Sequence, residues 1–273
     1  MYASKIELDK EKIAEYKTQS NTIYFNTKIN FLHQHKGLRP NKMHLLIAPT
    51  HAGKSTLVRT LLIDFVFRNK DKKVLLVLSE ETKDDFLAEF SNGVPDDDVL
   101  GNIRILSEQD WSNADIEEIQ KNIKEHINHF CIDMVFFDNI TTSKLYNDRS
   151  VKEQSQVSTW LKNLTKHTSL FLIAHSLGND FNNRLLDEND IRGSKTITNL
   201  TEFLYILQPF YVGERIYQFI NIIKHRGQEI KNRFYQLNYN NRYKIFENAD
   251  PVDFEEIARI FRLRNKLTEN KKR

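Results

Sequence analysis

A single cysteine, Cys131, is all the thiol that the 273-residue sequence contains. One thiol excludes an internal disulfide and the common structural zinc sets. Cys131 sits in the apolar run Phe130-Cys131-Ile132, which predicts a buried, inert side chain. Long apolar stretches are missing too: none spans a bilayer, and Met1 to Lys12 lacks the apolar core of a signal peptide. The expectation is a soluble chain in a reducing, cytoplasmic setting, with no membrane partner. Charge of one sign is scarce, with 40 Lys and Arg against 37 Asp and Glu, a net of +3. So small an excess attracts a polyanion only where basic residues cluster. Glycine is sparse and aromatics are plentiful, a composition that describes a folded globular chain and excludes a disordered one.

What is present is alternation. Apolar runs of strand length occur at Met43–Ala48, Val74–Ser79, Ile103–Leu106, Met134–Asp138, Leu170–Ala174, Phe203–Leu207 and Gln218–Lys224. Segments of helical spacing lie at Ser55–Asn69, Lys83–Glu89, Asp115–Asn128 and Lys152–Thr168. Strand runs alternating with helices predict a parallel sheet covered on both faces. A further helix is expected over Pro251 to Arg264, with Phe254, Ile257, Ile260 and Phe261 on one face and a basic tail beyond. The stretch Ile6 to Lys17 reads as a short amphipathic helix or arm. The economical division is an arm over 1–21, one α/β domain over 22–248, and a C-terminal helix and tail over 249–273.

The first strand run leads into Ala48-Pro49-Thr50-His51-Ala52-Gly53-Lys54-Ser55-Thr56. A strand, a turn and a helix opened by Gly-Lys-Ser form a Walker A phosphate loop, here with Ala48 at the position of the usual first glycine. Successive backbone N–H groups and the helix N-terminus suit a phosphate. Lys54 would reach the β- and γ-phosphates of ATP, and the Ser55 hydroxyl would ligate Mg²⁺. Asp138 closes Met134-Val135-Phe136-Phe137-Asp138, a Walker B strand in form, and is the second expected magnesium ligand; Asp-Asn as a turn-forming pair is the bland alternative. A carboxylate to activate water follows the second strand, at Glu80 or Glu81. Strand alternation lets only one of the two face the nucleotide.

Taken in order, these motifs resemble the motor domain of a DnaB-type replicative helicase, a RecA-like P-loop ATPase. Gly37-Leu38-Arg39-Pro40 with Met43 to Ala48 is similar to the family's lead-in. Val74 to Phe86 lies on its second-strand motif without gaps, with Glu80 at the catalytic position. Phe171 to Leu177 resembles the strand that ends in a polar sensor, usually glutamine, where this chain has His175. Asp190-Ile191-Arg192-Gly193-Ser194-Lys195-Thr196-Ile197 is similar to the Asp-Leu-Arg-x-Ser-Gly-Ser-Ile element. Ile222 to Gly227 resembles the Lys-x-Arg motif, and Phe246-Glu247-Asn248 a closing one.

The resemblance implies a RecA-like, mostly parallel twisted sheet and a homo-hexameric ring that hydrolyses ATP between subunits while moving on single-stranded DNA. Lys224 and Arg226 would enter the neighbouring subunit's site as charge-stabilising fingers, and His175 would report the γ-phosphate state to the DNA loops. Those loops are expected at Thr141–Lys152, offering Lys144, Arg149 and Lys152, and at Gly178–Asn189, offering Arg184. The resemblance also points to replication partners, a primase or a loader, in a bacterial cell or for a virus- or plasmid-encoded protein. Two other readings stay open: a RecA- or clock-type ATPase that does not unwind, and an accessory or loader protein that uses nucleotide as a switch.

Overall fold

The computed structural model describes residues 24–90, 101–111, 113–177, 184–212, 214–227, 229–230 and 233–270. The arm expected over Ile6 to Lys17 and the first half of the expected 178–189 loop, residues 178–183, lie outside them. Among the described residues nine strands form one mixed sheet: β1 (Met43–Ala48), β2 (Val74–Leu78), β3 (Ile103–Ser107), β4 (Met134–Asp138), β5 (Ser169–His175), β6 (Phe203–Val212), β7 (Arg215–His225), β8 (Phe234–Asn240) and β9 (Ile245–Val252). Their spatial order is β3-β2-β4-β5-β1-β6-β7-β8-β9. The first six in that order pair in parallel, and β7, β8 and β9 extend the sheet antiparallel.

The helices are α1 (Asn30–His33), α2 (Lys54–Arg68), α3 (Lys83–Phe90), α4 (Ile116–Phe130), α5 (Val151–Leu164), α6 (Thr196–Leu200) and α7 (Phe254–Asn270). Strand alternation divides the core into two layers. Leu46 and Ala48, Leu76 and Leu78, and Phe136 and Phe171 face α2, which buries Leu57, Val58, Leu61, Leu62 and Phe65 there. Leu45 and Ile47, Leu75 and Val77, and Phe137 and Leu172 face α4 and α5. Both faces are covered, so these strands read as unbroken apolar runs.

Local chemistry sets the helix ends. The Asp115 side chain accepts from Glu118 N, and Ile119, Ile123 and Ile127 recur every fourth residue on the buried stripe of α4. Ser150 and Glu153 form a reciprocal capping box at the start of α5. Residue 152 is therefore helical and does not belong to the preceding loop. Cys131 ends α4 in a left-handed conformation (φ 52°) and is exposed, which corrects the buried thiol expected from its neighbours. At that cap the chain turns, sending Ile132 inward and the thiol outward.

The C-terminal region also differs from the expectation. β8 and β9 were not evident as strands, and α7 starts at Phe254 because β9 runs through Pro251 to Val252. Proline is tolerated there because β9 is the outer strand of the sheet. α7 buries Ile257 and Ile260 against Phe210, Phe219 and Phe234. Among the described residues, no helix is long and apolar enough to cross a membrane.

Phe171 sits at the centre of the sheet, fully buried, with ring centroids of Phe136 at 5.5 Å, His44 at 5.9 Å and Tyr205 at 6.1 Å. Phe171→Ala should cost about 3–5 kcal/mol in denaturant unfolding, whereas Ile216→Ala, at an exposed site on β7, should stay within about 0.5 kcal/mol.

Candidate active site at the carboxyl edge of the sheet

Parallel registers bring four strand ends to one edge. Leu78 pairs with Asp138 and Ala48 with His175, so the chain after β1, β2, β4 and β5 leaves the sheet along a single line. Ligand sites of parallel sheets form outside such carboxyl ends.

The loop after β1 is tightly braced. His51 and Gly53 adopt positive φ (60° and 86°), and Gly53 opens α2 from a left-handed conformation. A Cβ at Gly53 would meet Gln218 Nε2 at 2.9 Å and the Phe246 ring at 3.0 Å, so both space and backbone favour glycine. Gln218 Nε2 donates to Ala52 O at 2.9 Å, and Phe246 N donates to Thr60 Oγ1 at 2.9 Å. Strands β7 and β9 thus hold the loop and α2 from the side. Lys54 is buried, and its Nζ donates to Pro49 O at 2.9 Å. Burial pulls its pKa below the usual lysine range, and Asp138 and Glu80 pull it back.

Asp138 is 5% exposed, and the Ser55 hydroxyl is close enough to favour its ionised form. Burial, then the charges of Glu80 and Glu81, push its pKa up to about 6, against the opposing pull of Ser55 and Lys54. The Asp138–Asn139 peptide bond is cis. Ser55 and Asp138, paired across the loop and the strand end, form a donor set that fits Mg²⁺. This ion commonly takes only one or two protein oxygens and completes its shell with phosphate and water. A divalent charge would also offset the two neighbouring carboxylates, Glu80 and Glu81, that raise Asp138. No group of three His, Cys, Asp or Glu side chains that could hold a metal occurs among the described residues.

Glu80 and Glu81 have different partners. Glu80 Oε1 accepts from His175 Nε2 at 2.8 Å and from Asn139 Nδ2 at 3.2 Å. The His175 hydrogen bond is the main cause of a Glu80 pKa below the usual carboxylate range. An ionised carboxylate has no proton to give, so His175 Nε2 carries the hydrogen. Glu81 lies nearer Arg59 and Asp85, and burial raises its pKa. Of the two, Glu80 is the carboxylate that faces Asn139 and His175.

His175 is tied to the segment that follows β5. Arg192 N donates to His175 O at 2.9 Å, Ser176 bridges Ile191, and Leu177 N donates to Asp190 O. Asp190 holds Arg184, whose Nη1 donates to its Oδ2 at 2.8 Å. The 190–197 segment is further anchored by Tyr146 OH, which donates to Ser194 O at 3.1 Å.

The other sequence-derived residues are placed apart from this cluster. Lys224 pairs with Leu204, which pairs with Leu45 of β1, and Arg226 N donates to Glu202 O. Both lie toward the amino edge, roughly 10 Å along β1 from its end, and so away from the loop that follows β1. Lys224 Nζ donates to Thr198 O at 3.2 Å, and burial, then Arg226, lowers its pKa. Lys144 Nζ donates to Trp111 O at 3.1 Å, and Arg149 Nη2 reaches Lys144 O at 3.4 Å. Lys152 is exposed on α5.

Sequence reading missed Ser79, Asn139, Thr141 and Thr142, which knit the ends of β2 and β4 together, and Gln218, which braces the loop. Only the polar texture of Asn139 to Ser143 hinted at them, and it reads equally as a turn. No protein-family model and no curated protein matches the chain.

The raised pKa of Asp138 carries a pH signature. Relative to a neutral side chain, its contribution to stability is fully present below about pH 4 and lost as pH rises through about 6. In protein free of Mg²⁺ and nucleotide, Asp138→Asn should exceed the wild type in stability at pH 7.5 by roughly 2–3 kcal/mol. The two should converge near pH 4 in thermal melts across that range.

Proposed function

We propose that the chain is a RecA-like ATP hydrolase and the motor of a ring-forming DNA helicase that moves on single-stranded DNA. The observation that carries the reading is the convergence at one sheet edge of the Lys54–Ser55 loop, buried Asp138 and hydrogen-bonded Glu80. Each supplies a different part of phosphoryl transfer to water. The loop amides and Lys54 would cradle the phosphates of ATP. Ser55 and Asp138 would hold Mg²⁺, which when bound neutralises charge on the phosphate oxygens. Glu80 would take the proton of the attacking water as its oxygen bonds to the γ-phosphorus and ADP departs.

The placement of Lys224 and Arg226 toward the opposite edge supports a role in trans, because such residues face a neighbour more readily than their own loop. A guanidinium there would meet the developing phosphate charge with two donors. Ring assembly would then be a condition of turnover.

One observation favours the second reading, an ATPase that does not unwind. Within the described residues, Lys144, Arg149 and Arg184 are engaged by the protein itself, so the expected DNA loops present less basic surface than their composition suggests.

ATPase rate with and without single-stranded DNA, over several salt concentrations and beside molar mass in solution, separates the two. The motor reading predicts a ring-sized oligomer and DNA stimulation that fades as salt rises; turnover indifferent to DNA favours the second reading. Arg226→Ala should keep ATP binding and lose turnover. Mixing exchanging subunits of Arg226→Ala and Lys54→Ala should restore part of it, and no recovery would remove the role in trans.

A further inference from the structure

Asn139 is fully buried directly after Asp138, and every polar atom of it is committed. Its backbone N donates to Ser79 Oγ at 2.8 Å, and the same hydroxyl donates to Asn139 O at 2.7 Å. Its side-chain Oδ1 accepts from Thr141 N at 2.9 Å and from Thr141 Oγ1 at 2.7 Å. A backbone N–H can only donate, so the amide orientation is fixed: the oxygen faces Thr141 and Nδ2 faces Glu80 Oε1. Thr141 Oγ1 in turn accepts from His175 N at 2.9 Å, and His175 Nε2 donates to the same Glu80 oxygen. The four residues close a ring of hydrogen bonds through Glu80, Asn139, Thr141 and His175.

We propose that Asn139 is a positioning residue for Glu80, its amide setting the direction in which the carboxylate meets the attacking water. The proposal rests on the reading of Glu80 as the base for ATP hydrolysis. Two donors on one oxygen stop the carboxylate from rotating, and a base held in place loses less of its rate to misorientation. The anchoring is asymmetric. Glu80 is half exposed on a loop, whereas Asn139 is locked by Ser79 and Thr141 between two buried strand ends. The rigid partner therefore fixes the mobile one. His175 supplies the second donor, and its backbone carbonyl is bound by Arg192, so the ring also joins Glu80 to the 190–197 segment.

The test is the pH dependence of kcat and KM for MgATP in the wild type, Asn139→Ala and Asn139→Asp. The alanine variant removes the donor to Glu80; the aspartate variant keeps an oxygen for both Thr141 donors but sets a carboxyl oxygen against Glu80 in place of the amide N–H. Both variants should lose about tenfold or more in kcat and move the acid limb of kcat upward by about one unit, with KM within about threefold of wild type. A folded variant with wild-type kcat and acid limb, or a loss carried by KM alone, overturns the proposal. Should neither variant fold, the wild-type Asn139 side-chain amide resonances decide. They should shift on Glu80→Gln, a change at a half-exposed site, and unmoved resonances overturn the proposal. Absence of ATP turnover in the wild type removes the functional reading and this proposal together; turnover with superimposed profiles removes the proposal alone.

Discussion

Parallel pairing forces β1, β2, β4 and β5 to end on one line, and every group in the candidate site leaves the sheet there. The register is specific: Leu78 opposite Asp138 and Ala48 opposite His175. A slip of one residue in β4 would turn Asp138 to the other face and carry Phe136 out of its layer. The apolar runs that build the two core layers therefore also position the polar residues that follow them. Burial of Leu76, Phe136, Phe171 and their neighbours against α2 on one side, and of Val77, Phe137 and Leu172 against α4 and α5 on the other, fixes that register.

Charge is concentrated where the strands end, and its desolvation is only partly compensated. Lys54 and Asp138 are both buried, and burial shifts each toward its neutral form. Glu80, more exposed and hydrogen-bonded, is shifted the other way. Neighbouring carboxylates driven apart in pKa occur at sites tuned for chemistry, and structural ion-pair networks perturb pKa values as well. An anionic ligand beside Lys54 and a cation beside Asp138 would each supply the missing counter-charge, so the electrostatics and the proposed MgATP site point the same way.

The central strands were legible because strands buried on both faces are written as continuous apolar runs, and the strand–loop–helix order around Gly53 because an apolar run stops at Ala48 and helical spacing resumes at Lys54. β8 and β9 were hidden for the opposite reason. Phe234–Asn240 carries Gln236, Asn238 and Asn240 among its aromatics, and β9 contains Pro251, which an outer strand tolerates and a sequence pattern penalises. Cys131 misled because its neighbours are apolar while its own backbone makes the helix-ending turn. The sequence allowed either Glu80 or Glu81; the contact with Asn139 and His175 depends on chain segments 59 and 95 residues away. The ring through Thr141 is invisible to any local pattern, since Asp138-Asn139 reads equally well as a turn.

Hydrolysis of MgATP by the purified chain, compared across the wild type, Lys54→Ala and Glu80→Gln, tests the central claim most directly. The account predicts turnover in the wild type and a loss of about 100-fold or more in both variants. Glu80→Gln should still bind the nucleotide. Near-normal turnover in Lys54→Ala would contradict the assignment of the loop, and a loss confined to Glu81→Gln would contradict the choice of carboxylate.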